Sequence, residues 1–160
     1  KVPEKLFRER ASSAFESAIY ATGRLYFCVR QGIPDLNSLS GRIAMPDPRL
    51  APYGRAAEEV LRTLSIWPEV KTEVIYTPNV MMAANHLQQR FVDAAFVSSS
   101  AVGLQLEASC ELVDVALYTP IRHRAILLEA SPEALAWFSF IRSPEAKSAW
   151  KKAGFLMEAS

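Results

Sequence analysis

Short apolar runs and amphipathic stretches alternate over residues 25–100, and this alternation predicts the secondary structure. The apolar runs are bounded by turn residues and predict strands, at residues 25–29, 42–47, 71–77 and 93–100. The stretches between them carry apolar residues at helical spacing and predict two helices, one from Tyr53 to Trp67-Pro68 and one over 79–91. Strands and helices that alternate with short connections are typical of a sheet flanked by helices. The predicted fold class is therefore α/β, with a parallel or mixed sheet.

The pattern changes after residue 100. Two further strands are predicted over residues 110–118 and 124–130, and two helices close the chain. Each closing helix opens on Ser-Pro-Glu-Ala, at residues 131–134 and 143–146. A serine cap, a proline at the first helical position and an acid in the first turn form a strong start signal. Gly154 is the matching stop signal for the last helix.

The helix that begins near Tyr53 has no such start signal. Ala51 and Pro52 precede it, and Gly54 lies in its first turn. Because a helix start exposes unpaired N–H groups, a start without a capping side chain is a ready anion site. Gly54 also allows another group to approach the backbone closely. Water, the Asp47 carboxylate and a bound anion are the candidate acceptors for these amides, and the residues alone favour the first two.

Composition and charge narrow the class of protein. The chain has 160 residues, half of them apolar and 22% charged, as in ordinary globular proteins. The formal net charge is +1 and the Lys and Arg residues are scattered, which argues against a nucleic-acid partner. No apolar run approaches the roughly 20 residues of a membrane span. Residues 1–10 show no signal-peptide pattern, which does not separate a cytoplasmic protein from a processed exported one.

Few side chains suggest catalysis or metal binding. Cys28 and Cys110 lie in apolar stretches, which favours two free buried thiols over a disulfide. His86 and His123 lie outside any cluster with metal-ligand spacing, so no metal site is predicted. The serines lack a G-x-S-x-G context and a paired acid, so no enzyme is predicted. The basic residues 122–124 favour an exposed strand edge over an anion site.

Five segments carry a family resemblance. The segment "RIAMPDPRLAPYGRAAEEVLRTLSIW" closely resembles the "IAI-x-DP…PYGRAA-x-E-x-L-x-x-L-x-x-W" segment of molybdate-binding proteins, the periplasmic receptors of ABC importers for molybdate and tungstate. "YATGRLYF" precedes it, and "NVMMAANHLQQRFVDAAFVSSS", "YTPIRHRAILLEAS" and "AWFSFIRSPEAKSAWKKAGF" follow in the family's order. The resemblance covers residues from about 20 to 155.

The resemblance implies a type II periplasmic-binding-protein fold, with two α/β lobes that clamp an oxyanion. Residues 25–118 would form the second lobe, and residues 119–160 the return segment of the first lobe. Residues 1–24 are expected to be a helical or linker segment that leads to the hinge. The implied role is periplasmic or extracytoplasmic delivery of the anion to an ABC permease. The alternative is a sensing or interaction domain on the same fold, with weak or no oxyanion binding.

The resemblance also implies an oxyanion site without a cationic contact and without a cofactor. The Tyr53 N–H matches one backbone donor of the family, and the Val80 N–H matches a second. Gly54 is expected to be the position of close approach. Ser98 stands where some members have a tyrosine whose hydroxyl reaches the anion. Its shorter side chain leaves three options open: direct contact, contact through a water, or a purely local role.

The family's opening strand and its two serine-bearing segments have no match here, so the chain is expected to lack most of the first lobe. Ser12 and Ser13 are poor substitutes for those serines. One lobe would supply two to four hydrogen bonds of about 1.5–3 kcal/mol each. Removing a dianion completely from water costs far more, so the anion would stay half hydrated. Binding in about the millimolar range, about 4 kcal/mol, is therefore expected for this chain alone.

Residues 134–141, "ALAWFSFI", are apolar nearly all round. A helix of that kind is buried on more than one side. Without a first lobe to cover it, its surface predicts a homodimer.

Overall fold

A computed structural model describes residues 16–103 and 106–157 of the chain. These residues fall into two compact units. The larger unit is Arg24–Ile121, and the described part of the second unit is residues 16–23 and 122–157. Both units combine strands with helices, so the predicted α/β class is confirmed.

The larger unit is built on a five-stranded mixed sheet. Its strand order is β4-β3-β5-β2-β6. The strands are β2 (Leu25–Val29), β3 (Ile43–Pro46), β4 (Val74–Thr77), β5 (Ala94–Ser98) and β6 (Ser109–Leu112). β3 is parallel to both β4 and β5, whereas β2 is antiparallel to β5 and β6.

Helices cover both faces of this sheet. They are α1 (Pro52–Thr63), α2 (Trp67–Val70), α3 (Val80–Gln88) and α4 (Ser99–Val102). All four residues of β3 are buried, as expected for a strand covered on both faces. Ile43 and Met45 pack in one apolar cluster with α1, and Ala44 packs in a second cluster with α3 and α4.

The described part of the second unit contains β1 (Glu16–Gly23) and β7 (Ile121–Leu127), which pair in a two-stranded sheet. Its helices are α5 (Pro132–Phe140) and α6 (Pro144–Lys152). The serine caps predicted for them are confirmed, since Ser131 accepts the N–H of Ala134 and Ser143 accepts that of Ala146. Gly154 follows α6 with φ of +83°, which confirms the predicted stop.

Several predicted elements differ from the structure. The segment 1–24 was predicted to be helical or linker, but its residues 16–23 form β1, which gains its hydrogen bonds from the distant β7. Ser12 and Ser13 lie outside the described residues. The strand predicted over 110–118 ends at Leu112 and is followed by a 3-10 turn at Val115–Leu117.

Helix ends were also misplaced by the sequence pattern. α1 ends at Thr63 rather than at Trp67-Pro68, where the separate short helix α2 begins. The helix predicted over 79–91 is α3, which ends at Gln88; Phe91 lies beyond it and is 59% exposed.

The preference for two free thiols is wrong. Cys28 and Cys110 form a disulfide, with Cα atoms 4.0 Å apart. The two residues stand directly opposite each other in the antiparallel register of β2 and β6. Only the pairing of strands from distant parts of the chain brings them together.

Burial of α5 is one-sided, in contrast to the prediction for residues 134–141. Phe138 and Ile141 are buried with Leu127 in the core of the second unit. Leu135, Trp137 and Phe140 are 45%, 60% and 43% exposed. Within the described residues, no helix has the length and apolar character needed to cross a membrane.

Candidate functional site

The candidate site lies at the carboxyl edge of the three parallel strands β3, β4 and β5. Each strand leads directly to a helix: β3 to α1, β4 to α3 and β5 to α4. α1 packs on one face of the sheet, and α3 and α4 pack on the other. Ligands of open α/β sheets bind at such an edge, where neighbouring strands send their connections to opposite faces.

The start of α1 has no side-chain cap. Its N-cap residue is Ala51, and Pro52 at the first helical position has no N–H to satisfy. The Asp47 carboxylate does not reach forward to the helix, as one sequence alternative required, because it accepts hydrogen bonds from the N–H and the guanidinium of Arg49. The main-chain oxygen of Asp47 accepts the N–H groups of Leu50 and Ala51, at 3.0 and 2.9 Å.

Gly54 is in close contact with the chain's own backbone. A Cβ atom at this position would lie 2.1 Å from the carbonyl oxygen of Pro46 and 2.9 Å from the carbonyl carbon of Asp47. The Gly54 N–H donates to the Ala51 carbonyl at 3.1 Å. The glycine is therefore required because the first turn of α1 packs directly on the end of β3.

Tyr53 is a member of the apolar cluster against which Val80 packs. The Tyr53 side chain is buried, with 7% exposed, beside the β3 residues Ile43 and Met45. Val80 is the first residue of α3, and it packs against this same cluster although the body of α3 covers the opposite face. The two helix starts therefore lie at one edge of the sheet. The backbone N–H of Tyr53 is the donor that the family resemblance implies, and its contact with an anion stays a prediction.

The start of α3 is fixed by a local network. Asn79 is its N-cap, and the Asn79 side chain accepts the N–H of Met82 at 3.0 Å. The Thr77 hydroxyl donates to the Asn79 carbonyl at 3.0 Å. The cap thus serves the third residue of the helix. The N–H of Val80, at the first position, has no acceptor within the helix, as at any helix start.

Ser98 ends β5 and is almost fully buried, with 2% exposed. Its hydroxyl forms a 2.8 Å hydrogen bond with the hydroxyl of Ser100. The Ser99 hydroxyl is also buried and has no hydrogen-bond partner among the described residues. Ser98 therefore has a local partner, and its contact with an anion stays a prediction.

The sequence pattern gave no role to the ion pair of Asp47 and Arg49. The Arg49 guanidinium donates to both carboxylate oxygens of Asp47, with Nη2–Oδ2 at 2.6 Å and Nε–Oδ1 at 3.0 Å. Hydrogen bonds from the guanidinium and from the Arg49 N–H hold the pKa of the Asp47 carboxyl below its usual value. The carboxylate raises the pKa of Arg49 in return. The only sequence signal was the spacing of two residues between an acid and a base.

Neither histidine belongs to the helix starts at this edge. His86 is in the last turn of α3, with its ring edge-on to Phe91 at 5.8 Å. His123 belongs to the second unit, among Tyr20 and Phe155, where burial lowers its pKa. No group of three or more His, Cys, Asp or Glu residues with metal-binding geometry occurs in the part of the chain that the structure describes.

Comparison with known proteins places this geometry in context. The sequence model of the family "Bacterial extracellular solute-binding protein" matches residues 1–156. The chain is 30% identical to the molybdate-binding protein ModA of Rhodobacter capsulatus over 119 residues, which is 72% of this chain and 47% of that protein. It is 27% identical to ModA of Azotobacter vinelandii, over 96% of this chain and 66% of that protein.

The fold is that of a solved relative. The periplasmic molybdate-binding protein of Azotobacter vinelandii superposes with a TM-score of 0.85 at 24% identity, over 98% of this chain and 74% of that one. The chain spans 47% and 66% of the length of the two curated relatives.

Proposed function

The chain belongs to the bacterial extracellular solute-binding proteins, and on that premise we propose that it binds a tetrahedral oxyanion, molybdate or tungstate. The anion would sit at the carboxyl edge of β3, β4 and β5, bound by the N–H groups of Tyr53 and Val80. Ser98 would contribute a hydroxyl, directly or through a water. Delivery of the anion to an ABC permease is part of the proposal.

One observation carries the proposal. α1, of twelve residues, and α3, of nine, begin at the same sheet edge, and Tyr53 and Val80 in their first turns belong to or pack against one apolar cluster. The positive ends of both helix dipoles therefore act on one region, which favours an anion. The α1 start supports this, because its first turn carries no acidic residue and no side-chain cap. Both curated relatives named above are molybdate-binding proteins.

The donors at this edge are few, so weak binding is expected. Charge-assisted hydrogen bonds contribute about 1.5–3 kcal/mol each, against a large cost of taking a dianion from water. Affinity in about the millimolar range follows for this chain by itself.

An extracytoplasmic location is part of the proposal. The Cys28–Cys110 disulfide supports it, because disulfides persist in oxidising compartments such as the periplasm. We expect no catalysis and no cofactor. The relatives favour transport over the alternative of a sensing domain on the same fold.

The proposal is tested by titrating ¹⁵N-labelled protein with sodium molybdate at constant ionic strength and following backbone amide shifts. The Tyr53 and Val80 amides are expected to shift and saturate in the millimolar range. Sodium perchlorate, a tetrahedral monoanion, is the control for charge. Amides at these positions that do not respond would refute the site. A sub-micromolar affinity by calorimetry would refute the expected weakness.

The homodimer stays a prediction. Its surface would be the exposed residues Leu135, Trp137 and Phe140 of α5. Light scattering over a wide concentration range tests it, with Trp137→Ser expected to shift the mass towards the monomer. A wild-type chain that stays monomeric at high concentration contradicts it.

A further inference from the structure

The ion pair of Asp47 and Arg49 lies beside the proposed anion site. Asp47 directly follows β3, and its N–H donates to the Thr77 carbonyl at the end of β4 at 2.8 Å. Its carbonyl accepts the N–H of Ala51, the N-cap residue of α1. The ideal Cβ position at Gly54, one residue after Tyr53, lies 2.9 Å from the Asp47 carbonyl carbon. The main chain of Asp47 therefore contacts the end of β4, which precedes α3, and the start of α1.

The negative charge of the Asp47 carboxylate opposes the binding of an anion at this edge of the sheet. The Asp47 side chain is only 10% exposed, so solvent screens its charge poorly. Its lowered pKa keeps it ionised at neutral pH. A negative charge near a dianion opposes binding, and it also cancels part of the helix-dipole attraction.

Arg49 supplies the opposite charge at the same place. Its guanidinium holds the carboxylate through three contacts of 2.6 to 3.1 Å, and the loop adds its own N–H at 2.9 Å. The Arg49 side chain is 84% exposed, so it packs little against the rest of the chain. Because Arg49 is solvated and must be ordered to form the pair, we expect the pair to contribute little to stability. Its main effect is on the local charge.

We infer that Arg49 is a positioning residue for anion binding, which acts by neutralising Asp47 at the edge where the oxyanion binds. This inference rests on the proposed function. Arg49 does not touch the anion. It removes the repulsion that a lone Asp47 carboxylate would exert, and its loss is expected to weaken the binding of a dianion.

The chain offers a matched control. Arg62 and Glu58, both on α1, form another ion pair, and its Nη2–Oε1 distance is also 2.6 Å. Arg62 lies ten residues after Pro52, about 15 Å along the helix axis from its start. Arg49→Gln and Arg62→Gln change the net charge equally, but at 0.1 M salt the distant change is screened.

The test is the amide-shift titration with molybdate on wild-type protein, Arg49→Gln, Arg49→Lys, Asp47→Asn and Arg62→Gln. Arg49→Gln is expected to raise the Kd about three- to tenfold, and the effect should shrink as salt is increased. Arg49→Lys keeps the charge and should stay near wild type. Asp47→Asn should lower the Kd, and Arg62→Gln should change it by less than about 1.5-fold.

Each outcome of this titration supports or overturns the role of Arg49. Equal effects of Arg49→Gln and Arg62→Gln, or an Arg49→Lys variant as weak as Arg49→Gln, overturn the role of the local charge. An Arg49→Gln variant that loses its folded spectrum leaves Asp47→Asn as the deciding variant, and unchanged or weaker binding there also overturns the inference. Wild-type protein whose Tyr53 and Val80 amides do not respond overturns the proposed function itself. Failure of the inference alone leaves those shifts in place.

Discussion

α1 begins differently from the two helices of the second unit. α5 and α6, in the second unit, each have a serine N-cap, a proline at the first position and a glutamate in the first turn. α1, in the larger unit, has the proline but neither the cap nor the acid. Since an N-cap side chain contributes about 1 kcal/mol, its omission has a cost. The difference teaches that α1 is held by contact with the sheet rather than by local capping.

Packing explains how α1 tolerates this start. Six of its residues are buried, and Gly54 brings its first turn against the Pro46 carbonyl. α5 has one buried residue within its bounds, Phe138, and exposes Trp137 and Phe140. The two cysteines of the chain both lie in the larger unit and are joined. α1 thus relies on contacts with residues distant in the sequence, whereas α5 and α6 carry start signals local to each helix.

The largest expected effect is loss of the disulfide. Replacing Cys28 and Cys110 together by Ser should lower the free energy of unfolding of the larger unit by about 2–4 kcal/mol. Hydrogen exchange should show faster opening of β2 and β6, with α5 and α6 unchanged. Wild-type protein treated with a reductant should behave like the double variant. Unchanged hydrogen exchange in β2 would contradict the expectation that the disulfide stabilises the larger unit.

The next effect is at the contact between α1 and β3. Gly54→Ala should destabilise the larger unit by at least about 2 kcal/mol, because its Cβ would overlap the Pro46 carbonyl oxygen. Gly103→Ala is the matched control, since its Cβ would lie 3.5 Å from the closest backbone atom, in ordinary contact. Chemical denaturation measures both. Equal costs for the two variants would show that the close packing of α1 is not what stabilises it.

Loss of a serine cap should have a smaller effect. Ser131→Ala and Ser143→Ala should each cost about 1 kcal/mol, because the N–H groups of Ala134 and Ala146 lose their acceptors. Ser139→Ala, at an exposed position inside α5, is the control and should be neutral or slightly stabilising. Thermal unfolding measures all three. A Ser131→Ala variant as stable as Ser139→Ala would remove the contrast between the units.

The smallest effect on stability is expected from adding a cap to α1. Ala51 has extended backbone angles, φ −120° and ψ 132°, which suit a capping residue. Ala51→Asp and Ala51→Asn should each stabilise the larger unit by about 0.5–1 kcal/mol. If the proposed site is correct, Ala51→Asp should also weaken molybdate binding more than Ala51→Asn, because only the former adds charge. Equal molybdate affinities for the two variants would show that the anion does not bind at the start of α1.

Much of the fold was predictable from local pattern. β2, β3 and β5 are short apolar runs, and α5 and α6 carry complete start signals, so periodicity and capping located them. β1 was missed because Glu16–Gly23 shows only a weak strand pattern and follows an amphipathic stretch. Its hydrogen-bond partner is β7, which lies about 100 residues later in the chain. The candidate donors Tyr53 and Val80 came from a family resemblance and from an uncapped helix start, and their contact with an anion stays a prediction.

The sequence by itself determined the order of β2, β3, β4 and β5 with α1 and α3 between them, the capped starts at Ser131 and Ser143, and the absence of a cap at Ala51. These features depend on residues close together in the chain, so their physics is local. Only the tertiary structure decided that Cys28 meets Cys110, that Gly54 packs on Pro46, and that Tyr53 and Val80 reach one cluster. These contacts depend on the order and register of strands that are distant in sequence, and local pattern carries no record of that pairing.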